Sequence, residues 1–146
     1  MYVLDTNTVK AVLRNPTPYL EQQLNSHVSE VFISIIVAEE MIRGVMATLN
    51  ENMRRPVVTR HYDFLRRLIA DLSLFPVLGY DDTAEEIYQG FTPTVKRIGL
   101  RDCRIAASAM AQRPEPFIVV TRNLDDFRAI GAPCESWIDP PENSRG

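Results

Sequence analysis

Short apolar runs recur along this chain between segments patterned like helices, and that alternation limits what it can fold into. Tyr2–Leu4, Val31–Ser34, Leu74–Leu78 and Phe117–Val120 are brief and rich in β-branched or aromatic residues, as buried strands are. Between them, apolar residues recur at spacings of three and four. In the stretch Pro56–Asp71, Val58, Tyr62, Leu65, Leu68 and Ile69 form one stripe. Strands alternating with helices predict a single-domain three-layer α/β/α sandwich around a central, mainly parallel sheet. At 146 residues one domain is expected. It should span 1–138, with 139–146 a flexible, Pro-rich polar tail.

Local chemistry sharpens the pattern. Thr8–Arg14 reads as helical and is broken by Asn15-Pro16-Thr17-Pro18, where Thr17 is placed to cap a second helix over Tyr19–Asn25. After Val31–Ser34 the pattern turns helical to about Leu49, with Ile36, Glu40 and Gly44 on one face and Gly44 expected to permit close packing. Pro76 predicts an edge position for the strand around it. Asp81-Asp82-Thr83 should cap a helix reaching Phe91. Further helices are expected over Arg101–Gln112 and Leu124–Ile130, with a last strand over Ser136–Ile138.

Composition excludes several classes. The net charge is −3, which argues against coating nucleic acid with a broad basic face but leaves room for a nuclease with a small footprint. No apolar run approaches the ~18 residues of a membrane span, and the first residues enter strand-like sequence without a leader, so the expected location is cytoplasmic. Cys103 and Cys134 stand alone and read as small buried residues; His27 and His61 match no metal spacing.

Acidic and polar groups stand where such a sheet would gather them. Asp5 and Asn123 follow apolar strands, Asp102 opens a helix, and Glu40 lies on an otherwise apolar helical face. Ligands in open parallel sheets sit beyond the carboxyl ends of the strands. Taken singly, Asp5 or Asp102 reads as a helix cap, Asn123 as a turn residue and Thr121 as a strand residue. Glu40 is harder to place so simply, because a buried carboxylate needs a partner or a metal. Together Asp5, Glu40 and Asp102 suggest one pocket for a hard cation, Mg²⁺ or Mn²⁺. Asp5 and Asp102 would be ligands, Glu40 would hold or deprotonate water, and Asn123 and Thr121 would fix the surroundings.

The ordered set Leu4-Asp5-Thr6-Asn7, Ser34 with Glu40 and Gly44, Gly99-Leu100-Arg101-Asp102 with Ile105-Ala106-Ala107, and Val120-Thr121-Arg122-Asn123 with Asp126-Phe127 resembles the PIN-domain ribonucleases. Within them it is most similar to the VapC-type toxins of bacterial toxin–antitoxin pairs. The resemblance spans Tyr2 to Trp137. It implies metal-dependent RNA cleavage with Asp5, Glu40 and Asp102 as core acids, a small cognate antitoxin and a homodimer. Asn123 stands where the family often has Asp, and Asp126 is close enough in sequence to compensate. Asn7 and Thr121 would support the site, and Arg101, Arg104 and Arg122 flank its motifs as candidate RNA contacts. Two alternatives stay open. One is a phosphatase forming an aspartyl-phosphate on Asp5, although Asn7 replaces the second Asp such enzymes use. The other is a binding or regulatory module with a degenerate site.

Overall fold

In the computed structural model, which describes residues 1–141, five parallel-paired strands form one sheet flanked by helices. In chain order the elements are β1 (Tyr2–Leu4), α1 (Thr6–Arg14), α2 (Pro18–Ser26), β2 (Val31–Ser34), α3 (Ile35–Glu51), α4 (Val58–Leu72), β3 (Val77–Leu78), α5 (Asp82–Gln89), α6 (Pro93–Lys96), α7 (Leu100–Met110), β4 (Ile118–Val120), α8 (Leu124–Ile130) and β5 (Cys134–Glu135). The strand order is β3-β2-β1-β4-β5. The sheet that was expected to be mainly parallel is parallel at every pairing among the described residues.

β1 is the centre of this arrangement. Leu4 pairs with Ile33 of β2 on one side and Val120 of β4 on the other. Val3 and Leu4 are both fully buried although they point to opposite faces, which a strand covered on both sides requires. This explains why the run is continuously apolar rather than alternating. The strand order reverses direction at β1, so a crevice opens where β1 and β4 end, and the residues just beyond them face it.

Several boundaries differ from the sequence expectation for physical reasons. α1 starts at Thr6 rather than Thr8, because Asp5 accepts a hydrogen bond from the Thr8 amide and caps the helix directly after the strand. α6 was not anticipated; Thr92 caps it and Pro93 opens it. β5 lies at Cys134–Glu135, not Ser136–Ile138. Gly131, at φ 95°, ends α8 in a left-handed turn that Gly adopts freely, and the chain rejoins the sheet at once. Val119 N–H then donates to the Pro133 carbonyl and Thr121 N–H to that of Glu135, while Trp137 and Ile138 are buried in the core instead of continuing the strand. Gly44 does not mediate close packing: a Cβ there would meet nothing within 4 Å. β3 sits at the edge, as Pro76 required. Of the expected tail, 142–146 lies outside the described residues.

Candidate active site

Three strand ends and one turn build the site. Asp5 follows β1 and is almost completely buried. Its Oδ1 accepts from the Thr8 amide at 2.8 Å and its Oδ2 from Thr121 Oγ1 at 2.6 Å. Thr121 follows β4 and is fully buried, and its Oγ1 also accepts from the Asn123 amide at 2.9 Å. Thr8 Oγ1 reaches back to the Val120 carbonyl at 3.0 Å. One small network therefore ties the ends of β1 and β4 and fixes Asp5 in a single orientation.

Glu40 comes from the second turn of α3, after β2 and its Ser34 cap. Thr6 Oγ1 donates to Glu40 Oε2 at 2.6 Å, and Arg101 Nη1 lies 3.6 Å from its Oε1. Asp102 lies in the first turn of α7. Gly99 precedes that helix at φ 152°, a conformation left to glycine, and the turn it makes aims the N-terminus of α7 at the crevice. The positive end of the helix favours an anion there.

Asp5, Glu40 and Asp102 line one pocket of about 510 Å³, together with Asn7 and Asn123. The carboxylate of half-buried Asp102 accepts no hydrogen bond and makes no ion pair with a described residue. Burial pushes its carboxyl above the usual aspartate range, and the charges of Asp5, Asp126 and Glu40 push it further. Among the described residues, no three acidic, histidine or cysteine side chains are close enough together to hold a metal ion as they stand. Glu40 is instead held by the Thr6 hydrogen bond and the Arg101 ion pair. The donor set still suits a hard cation. Mg²⁺ commonly uses one or two carboxylates and completes its shell with water. A half-buried carboxylate among three others, without a cationic partner, is the electrostatic deficit such an ion would relieve.

The other expected residues are divided. Arg101 and Arg104 line the pocket, whereas Arg122 lies outside it, exposed and 3.8 Å from Asp139. Asp126 faces an adjoining depression with Asn123, and it reaches Asp102 only electrostatically. Glu39, expected to point to solvent, is exposed but stands at the pocket rim, paired with Arg43. Thr6, Thr8, Lys10 and Arg43 were not singled out from sequence, yet each either braces an acid or lines the pocket. For Thr6 and Thr8 the only hint was their place in the turn after Asp5. His27 stacks on Trp137 and pairs with Glu30, away from the pocket.

Comparison with known proteins adds the following. Residues 2–133 match the family model described as PIN domain. The "tRNA(fMet)-specific endonuclease VapC" of Salmonella typhimurium is 28% identical over 138 residues, covering 93% of this chain and 97% of that protein. "Ribonuclease VapC2" of Haemophilus influenzae is 31% identical over 140 residues, covering 94% and 98%. Among solved structures, the DNA-bound VapBC of Salmonella typhimurium superposes with a TM-score of 0.72 at 27% identity, covering 93% of this chain and 97% of that one. No helix among the described residues is long and apolar enough to cross a membrane.

Proposed function

The chain belongs to the PIN-domain family, and we propose that it is a divalent-metal-dependent ribonuclease, the toxin of a pair whose other member is a small antitoxin. The observation that carries this is the convergence of Asp5, Glu40 and Asp102, from three distant segments, on one pocket beyond the carboxyl ends of β1 and β4. The VapC relatives are named as ribonucleases, and the VapBC structure supports a protein partner.

Asp5 and Asp102 would hold the ion, Mg²⁺ or Mn²⁺. Asp5 is prepositioned by Thr8 and Thr121, and Asp102 is free of protein donors. Bound there, such an ion lowers the pKa of water and offsets charge on a phosphodiester. Glu40, kept in place by Thr6 and Arg101, accepts the proton of the attacking water. Water oxygen bonds to phosphorus, the bond from phosphorus to the departing ribose oxygen breaks, and that oxygen takes up a proton from solvent water. Asn123 offers a carbonyl oxygen without charge, and Thr121 keeps Asp5 from rotating. An aspartyl-phosphate route is disfavoured, because Asn7 stands where such enzymes use a second Asp and cannot act as an acid. A homodimer, the cytoplasm as site of action and blockade of the pocket by the antitoxin belong to the same proposal.

The test is incubation of purified protein with tRNA and with single-stranded RNA. Cleavage should appear with Mg²⁺ or Mn²⁺ and vanish in excess chelator or in Asp102→Asn. Cleavage that persists in chelator would reject the metal-dependent mechanism. A folded protein that cleaves no RNA would favour a degenerate binding module.

A further inference from the structure

The arginines at the pocket are not equivalent. Arg43 pairs with Glu39 and Arg101 with Glu40, so their charges are largely answered within the protein. Arg104 makes no ion pair with a described residue. Its guanidinium instead lies against two aromatic rings, with its carbon 5.6 Å from the Tyr80 centroid and 5.2 Å from that of Tyr88. Aromatic faces hold a guanidinium by cation–π attraction without consuming all of its N–H donors, and the Arg104 charge also acts on the Tyr80 hydroxyl.

The bracket is itself fixed. The Tyr80 hydroxyl donates to Glu85 Oε2, and Gln89 occupies Glu85 Oε1, so the acid that interacts electrostatically with Arg104 is already engaged. Tyr88 packs edge-on against Phe91. Arg104 Nε is buried without a hydrogen-bond partner among the described residues, which leaves the two terminal nitrogens of the half-buried side chain as the donors for a ligand. The side chain lines the same pocket as Asp102. Two positions along an α-helix correspond to about 200° of rotation, so Arg104 departs from α7 on the side away from Asp102.

We infer that Arg104, bracketed by Tyr80 and Tyr88, binds an RNA backbone phosphate next to the scissile one and so sets the strand's register over the acids. This rests on the ribonuclease reading and deepens it. Arg104 acts through substrate binding, because it makes no hydrogen bond or ion pair with Asp5, Glu40 or Asp102. A planar fork recognises phosphate through two parallel hydrogen bonds, which a lysine cannot reproduce.

The experiment measures single-stranded RNA binding in an Asp102→Asn background across about 50–200 mM salt, alongside steady-state cleavage with Mn²⁺ in the Asp102 protein. Arg104→Gln should make the log–log salt dependence shallower by about 0.7, the share of one phosphate contact on a single strand. It should raise KM about tenfold with kcat nearly unchanged, and leave Mn²⁺ binding as it was. Arg104→Lys should keep the salt slope but still raise KM, and it carries the test if the Gln variant does not fold. An unchanged KM in Arg104→Lys and an unchanged slope in a folded Arg104→Gln would each overturn the assignment, with RNA cleavage by the parent protein intact. Failure of the parent protein to cleave any RNA would instead remove the ribonuclease reading, and this assignment with it.

Discussion

Thr121 Oγ1 donates a 2.6 Å hydrogen bond to Asp5 Oδ2, joining residues 116 positions apart where two neighbouring strands end. Both residues are buried, so the bond is shielded from water and holds the carboxylate in one rotamer. Thr121→Val keeps the shape and removes the donor. Cleavage should fall about 10–100-fold, the usual loss when a partner that orients a metal ligand is removed. The melting temperature should also drop, because a buried acceptor loses its donor. Kinetics and thermal melts of the same preparation check both.

Asp102 is costly to the fold without metal. Burial first, then Asp5, Asp126 and Glu40, raise its carboxyl pKa in the folded protein above its unfolded value. A raised folded-state pKa contributes stability that is fully present below the unfolded value, about 3.9 for Asp. That contribution is lost as pH rises through the folded-state value. In chelator, Asp102→Asn should therefore melt higher than the parent at neutral pH, and the gap should shrink on acidification toward pH ~4. Added Mn²⁺ should stabilise the parent and not the variant. Such a site trades stability for activity.

Much of the site was legible because the fold's logic is carried by adjacency. Asp5 and Asn123 follow apolar runs that could only be strands, and a parallel sheet brings such ends together. Glu40 stood out as a carboxylate on an apolar face, and it does line the pocket. What stayed hidden depends on how elements dock. Lys10 and Arg43 reach the pocket only because α1 and α3 pack side by side. The bracket around Arg104 needs α5 against α7, and no spacing in the chain announces it. Arg122 flanks a motif in sequence but lies outside the pocket, exposed and facing Asp139. The last strand was misplaced because apolar Trp137 and Ile138 resemble strand residues, whereas their burial serves the core.

Asn123 precedes α8 and its side chain makes no capping hydrogen bond. Asn123→Asp restores a charge at the pocket without displacing a contact. Divalent affinity should rise severalfold, since ligand charge sets the affinity of oxygen sites. In chelator the melting temperature should fall, because a further carboxylate joins Asp5 and Asp102. Calorimetric titration and melts of parent and variant decide it.

Gly44 offers a control one helical turn beyond Glu40, outside the pocket that Asp5 and Asp102 line. It sits inside α3 with no atom within 4 Å of the position a Cβ would take, on a groove bordered by Met41, Val45 and Phe64. Gly44→Ala should stabilise the protein by about 0.5–1 kcal/mol through helix propensity. RNA cleavage should be unchanged. A loss of stability, read from denaturant unfolding, would mean that the groove is closed in solution.

Mn²⁺ binding to the parent protein, Asp5→Asn and Asp102→Asn, followed by calorimetry in one buffer, probes the convergence of the acids most directly. Saturable binding by the parent and its loss in both variants, with all three proteins folded, is the expected result. Equal binding by all three would mean that Asp5 and Asp102 do not share an ion, and the metal-dependent mechanism built on them would be wrong.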